Sequence, residues 1–164
     1  MPRLKTIPDV DVFAALRQLL AAGGEKAVSF ATVAAATGLA APTLAQRYGS
    51  RDGMVKAARL AAWDAVDAAT AAAIAATADK GPQALLKAVE TDITLAPDSR
   101  DEDLRLRAAG WRATVESALS LRLGGGQKGR ETASLMFAVW QGQVVWQGAG
   151  GKGFRLKDAV KRLA

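Results

Sequence analysis

The sequence has no cysteine and no histidine. The first absence excludes disulfides, thiolate nucleophiles and thiolate metal sites. The second removes the imidazole that most often serves as acid, base or zinc ligand near neutral pH. Most enzyme mechanisms lose their best candidates, so the expectation is a protein that is not an enzyme and carries no cofactor and no metal. Aromatic residues are sparse, at 5%. Long uninterrupted apolar runs are also missing: the alanine-rich stretch is broken by Asp64, Asp67 and Asp79, which argues against a membrane span. The opening Met1-Pro-Arg-Leu-Lys-Thr-Ile-Pro lacks the apolar segment of a signal peptide, and the expected location is the cytoplasm. Nor is there any run of strict apolar/polar alternation with β-branched enrichment, so no sheet is expected.

What the chain does have is helical periodicity along 164 residues, enough to bury a core without staples, and a net charge of +6. The charge is uneven. Residues 1 to 59 carry eight Lys/Arg (Arg3, Lys5, Arg17, Lys26, Arg47, Arg51, Lys56, Arg59) against four acids (Asp9, Asp11, Glu25, Asp52), a surplus of +4. The remainder holds only +2, from fourteen basic and twelve acidic side chains. A positive N-terminal third favours a polyanionic partner.

The periodicity predicts an all-α fold. A first helix follows Pro8-Asp9, sets Val12, Phe13, Leu16, Leu19 and Leu20 on one face, and stops at Gly23-Gly24. Ser29 can cap a short helix through Val33 to Ala36. Gly38 supplies a left-handed turn, and a second short helix runs from Ala41 to Tyr48. Ser50 caps a long helix from Arg51 to about Ala78, and Gly81-Pro82 ends that stretch. A fifth helix groups Leu85, Val89 and Ile93 before Pro97. Ser99 and Glu102 have the spacing of a capping box for a helix repeating Leu104, Ala108, Trp111, Val115 and Ala118. Gly124 to Gly129 reads as a flexible loop. The helix from about Arg130 to Gln147 is apolar nearly all round, and a last helix aligns Leu156, Val160 and Leu163. One chain of this size can hardly cover both, so the helices near 130–147 and 154–163 are expected to pair with a second copy.

Residues 29–48 show the economy of two crossing helices: Ala34 and Gly38 allow close approach, and Val33, Leu39, Leu44 and Tyr48 form a small shared core. In a helix-turn-helix the second helix enters the major groove, and here its outward polar candidates are Thr43, Gln46 and Arg47.

Residues 13–57 resemble the tetracycline-repressor (TetR/AcrR) family of transcriptional regulators. The resemblance rests on an Ala14-Ala-Leu16 first helix, Gly24, Ser29, Thr37-Gly-Leu39, Pro42-Thr-Leu44, Tyr48, and Gly49-Ser-Arg51. It implies a homodimer that binds a palindromic operator on double-stranded DNA, usually as a repressor, and is released by a small-molecule effector in its C-terminal domain. By position it implies that Thr43 and Gln46 face the major groove, that Ser29 and Arg51 meet phosphates, and that Pro42 sets the start of the recognition helix. Arg47 stands where the family often has histidine. Two positions depart from the pattern: Ala40 replaces a frequent serine cap, and Ala45 replaces a tyrosine that contacts DNA. The domain division expected on this basis is 1–50 for the helix-turn-helix domain and 51–164 for ligand binding and dimerisation.

Other features have plainer readings. Trp63, Trp111, Phe137 and Trp140 are candidate linings of an apolar effector pocket, against the alternative that they are packed core. Gly148 to Gly153 fits Gly-x-Gly-x-x-Gly but follows a helix, so it reads as a linker. Asp98, Asp101, Glu102 and Asp103 suit the positive end of a helix dipole better than acid/base or metal work. The competing functions are therefore a DNA-binding regulator, a helical ligand- or protein-binding module without sequence readout, and, with least support, an enzyme.

Overall fold

The computed structural model of the chain describes residues 7–89, 100–150, 153 and 155–163, the side chains of Lys157, Val160 and Leu163 excepted. The described residues form α-helices and connecting turns with no strand, and no described helix is long and apolar enough to cross a membrane. By packing the chain divides into two compact units, one up to Ala62 and one from Trp63.

In the first unit α1 (Asp9–Gly23) starts after the extended Pro8 and buries Val12 and Leu16 completely. A single 3-10 turn, Gly24–Ala27, leads to α2 (Phe30–Thr37). Ser29 and Thr32 cap α2 reciprocally: the Thr32 amide donates to Ser29 Oγ at 3.1 Å and the Ser29 amide to Thr32 Oγ1 at 2.9 Å. Gly38, at φ 76°, ends the helix in the left-handed region, where a side chain would be strained. Next, α3 (Ala41–Tyr48) has Pro42 in its first turn, and Ala40 offers no side-chain cap. The Ser50 hydroxyl then accepts from the Gly53 amide at 2.9 Å and opens α4 (Arg51–Ala76). A Cβ on Gly53 would lie 2.4 Å from the Tyr48 carbonyl oxygen, so only glycine lets the chain turn this tightly from α3 into α4.

The core of this unit is aliphatic: Val12, Leu16, Val28, Val33, Leu44, Met54, Val55 and Ala58 are buried, with Phe13, Leu20, Leu39 and Tyr48 packed around them. Each large member stabilises by roughly 2 kcal/mol through lost apolar surface. The first turns of α4 thus belong to the N-terminal core, while Trp63, Val66 and Thr70 further along the same helix are buried in the second unit.

In the second unit α5 (Pro82–Val89) buries Leu85, Leu86 and Val89. The expected continuation through Ile93 to Pro97 lies outside the described residues, as do Asp98 and Ser99. The N-cap of α6 (Glu102–Arg122) is Asp101, whose carboxylate accepts from the Leu104 amide at 3.2 Å. A cap two residues after Ser99 has the same acceptor chemistry and adds negative charge at the helix N-terminus. Leu104, Ala108, Trp111, Val115 and Ala118 all fall on the buried face, as the repeat predicts.

The expected loop from Gly124 to Gly129 is shorter than its composition suggests. Only Leu123, Gly124 and Gly125 separate α6 from α7 (Gly126–Trp146), and Gly129 is a buried helical residue. A Cβ on Gly129 would sit 3.2 Å from the Ser120 carbonyl oxygen, so this glycine serves the close approach of α6 and α7. Arg122 joins α6 to the end of α4, donating to the carbonyls of Ile74 at 3.1 Å and Thr77 at 3.0 Å, where a helix C-terminus has unpaired acceptors. After the 3-10 turn Gln147–Ala149 comes α8 (Leu156–Leu163), on which Leu156 is half-buried. The Val160 and Leu163 side chains and the centre of the expected Gly148 to Gly153 linker lie outside the described set.

Candidate functional site

The α2–turn–α3 pair exposes a small polar surface. Along α3 the period of 3.6 turns Leu44 inward, fully buried, and leaves Ala41, Ala45 and Tyr48 half-buried beneath it. Pro42, Thr43 and Gln46 are exposed on the other side, in the first two turns of the helix. Ser29 stands at the N-terminus of α2 with its hydroxyl engaged in the cap. The sequence-based candidates Pro42, Thr43 and Gln46 therefore share one outward face, and Ser29 lies at the start of the neighbouring helix.

Arg47 is exposed as well, and its side chain reaches across to α1. Its Nη1 donates to Asp9 Oδ1 at 3.1 Å and to the Ile7 carbonyl at 3.0 Å, tying the end of α3 to the start of α1. The same Asp9 oxygen accepts the Tyr48 hydroxyl at 2.5 Å, and the Tyr48 ring leans on Phe13 with centroids 6.0 Å apart. Burial first, and the hydrogen bond to Asp9 second, push the Tyr48 phenol up to about 12. Contact with the Tyr48 oxygen, and more weakly the Asp9 charge, raises the Arg47 guanidinium further above its already high value.

Arg51 is also engaged within the chain. Its Nε donates to the Val28 carbonyl at 2.9 Å, Nη2 to the Glu25 carbonyl, and Nη1 to Asp52 at 2.8 Å. Glu25 in turn pairs with Arg59 at 2.8 Å. This strap holds the 3-10 turn between α1 and α2 against the first turns of α4. The family resemblance implies that Arg51 is a phosphate contact; within the chain it braces the loop that carries Ser29.

The second set of candidates is concentrated inside the second unit. Trp111 lies at the centre of an aromatic cluster, with centroids 5.9 Å from Trp63, 5.7 Å from Phe137 and 6.4 Å from Trp140, while Phe137 and Trp140 are 5.6 Å apart. All four are at least nine-tenths buried, and they fill one another's space. The open volume lies beside them: a cleft of about 560 Å³ between α4 and α6, lined by Thr70, Ile74, Leu106, Gly110, Trp111 and Thr114 among others. Trp111 alone belongs to both cluster and cleft, and its indole N–H donates to Thr70 Oγ1 at 2.8 Å at the base of the cleft. Arg107 on the rim pairs with Asp64 and, at 3.0 Å, with Asp67. Among the described residues no group of acidic side chains is placed to hold a metal ion.

Sequence reasoning missed Asp9, Glu25 and Thr70. Asp9 reads only as an acidic residue in a first helical turn, and its partners lie 38 and 39 positions away. The Trp111–Thr70 bond spans 41 positions, and no local pattern signals such a pairing. Compared with protein-family models, with curated proteins and with solved structures, the chain finds no match.

Proposed function

We propose that the chain is a TetR-like transcriptional regulator that binds a palindromic operator on double-stranded DNA as a homodimer, with α2 and α3 as its helix-turn-helix. The observation that carries the reading is the outward face of α3: Pro42, Thr43 and Gln46 are exposed while Leu44 anchors the helix in the core. Short polar side chains on the first turns of a recognition helix are those that meet base edges, and the +4 surplus of residues 1–59 supplies the phosphate attraction. In this reading Gln46 and Thr43 read bases, and Ser29 and the Pro42 turn lie against the backbone.

Pairing of two copies is supported by α7, whose spacing aligns Leu135, Val139, Gly142 and Trp146 on one stripe. Leu135 is 49% exposed and Trp146 63%, unusual for large apolar groups on one helix face. Control by a small, largely apolar effector is supported by the cleft beside Trp111, whose volume lies in the range of small-molecule sites. The four aromatic rings are then the wall behind the site, with Trp111 the member that a ligand touches.

A second reading has its own observation. Ala40 leaves α3 uncapped, and both Arg47 and Arg51 are already engaged by groups of the chain itself. A helical ligand- or protein-binding module that has lost sequence readout would share these features. Selection from a genomic fragment library at near-physiological salt separates the two. The DNA reading expects an enriched palindrome whose affinity exceeds that for scrambled duplex by at least about a thousandfold. Gln46→Ala should then weaken the enriched site more than the scrambled one. Weak, salt-sensitive binding with no enriched sequence would replace the DNA reading with the module.

A further inference from the structure

Arg47 is the only cation on α3, and it is held at the edge of that helix by an exposed acid: the side chains of Arg47 and Asp9 are 26% and 57% accessible. Asp9 Oδ1 takes the Arg47 Nη1–H at 3.1 Å and the Tyr48 hydroxyl at 2.5 Å. A carboxylate oxygen and a phosphate oxygen offer a guanidinium the same charge-assisted bond, and an exposed ion pair is readily exchanged for another anion. Tyr48 is pinned between the Phe13 ring and the carboxylate, so it fixes where Asp9 points.

We propose that Asp9 is a positioning residue that acts as an internal stand-in for a DNA phosphate, docking the Arg47 guanidinium on α1 until a duplex displaces the carboxylate and takes Arg47. The inference rests on the DNA-binding reading and extends it: the free protein holds back one phosphate contact, and binding begins by an exchange of anions at Arg47.

The test is a double-mutant cycle read on a mixed-sequence duplex across a salt series, using the full chain. Asp9→Asn should bind about threefold more tightly at low salt with a similar logarithmic salt slope, because both complexes make the Arg47 phosphate contact and only the wild type gives up an ion pair to do so. In an Arg47→Ala background the same substitution should lose most of that gain. An equal gain in both backgrounds overturns the proposal, since Asp9 then only repels DNA at large; no gain in either does the same.

Tyr48, the sole tyrosine, reports on the bridge without DNA. At about pH 11, with circular dichroism confirming that the helices persist, wild type should keep most of its phenol protonated and Asp9→Asn should show more phenolate. Equal phenolate in the two proteins removes the bridge, and the proposal with it, while leaving DNA binding by α3 intact. A phenolate difference with no duplex binding by any variant defeats the DNA reading instead, and the stand-in role falls with that reading.

Discussion

The two units hold themselves together by different means. The first is knit at its surface: over a small aliphatic core, Arg47 and Tyr48 cross to Asp9, Arg51 crosses to Val28 and Glu25, and Arg59 crosses to Glu25. The second also has cross-links, from Arg107 to Asp64 and Asp67 and from Arg122 to Ile74 and Thr77, but is locked from within by Trp63, Trp111, Phe137 and Trp140 packed ring against ring around the Trp111–Thr70 hydrogen bond. Surface cross-links of charged groups are individually weak and exchangeable, whereas interlocked rings tolerate little change in shape. A unit built in the first way can exchange its polar partners for those of a ligand while keeping its fold. A unit built in the second way suits a scaffold, with its adaptable volume in the cleft beside the rings.

The distribution of chromophores lets the comparison be broken one side at a time. All four tryptophans fall in the second unit and the one tyrosine in the first. Trp111→Ala should cause the largest loss, about 4 kcal/mol from removal of the central ring, seen as an early transition in tryptophan fluorescence. Leu16→Ala should cost about 3 kcal/mol and lower the transition reported by Tyr48 and helical circular dichroism more than that reported by the tryptophans. Equal shifts of both probes in both variants would show that the units melt as one.

A finer comparison lies inside the aromatic cluster. The Trp111 N–H is satisfied by Thr70, whereas the buried Trp140 N–H finds no acceptor among the described residues. Trp111→Phe strands the Thr70 hydroxyl, and Trp140→Phe relieves an unpaired donor. Denaturant melts should therefore show the Trp111 variant less stable than the Trp140 variant by about 1 to 2 kcal/mol. The reverse order would mean that ring packing alone sets the energetics of the cluster.

The smallest effect concerns pH. The Tyr48 phenol is raised to about 12 in the folded chain, above its ordinary value of 10.0. The folded state thus favours the neutral phenol; this contribution to stability is complete below about pH 10 and is lost as pH rises toward 12. The first unit should lose stability across that window, and Tyr48→Phe should flatten the dependence. A pH profile unchanged by Tyr48→Phe would locate the titrating group elsewhere.

Much of this was legible in the sequence where the signal is local. Ser29, Gly38 and Ser50 punctuate the helices as read, because caps and left-handed turns act within three or four residues. The inward repeat of α6 and the outward set Thr43, Gln46 and Arg47 follow from helical periodicity. Gly129 was misread as loop because glycine content signals both flexibility and close packing, and only the Ser120 carbonyl distinguishes them. The pattern also divides the chain at the Ser50 cap, whereas packing carries Met54, Val55 and Ala58 into the N-terminal core. The sequence marks Arg47 as an outward candidate and, by resemblance, Arg51 as a phosphate contact, but nothing in a linear string tells that these guanidinium groups also meet Asp9, Val28 and Glu25 within the chain.

The central claim, that the first unit meets DNA through α3 while the second stays a scaffold, is tested most directly by amide hydrogen exchange with and without duplex DNA at low salt. Slowed exchange over Ala41–Tyr48 and the first turn of α2, with α6 and α7 unchanged, is the predicted result. Exchange in α3 that is indifferent to saturating DNA, or a response confined to the second unit, would contradict it.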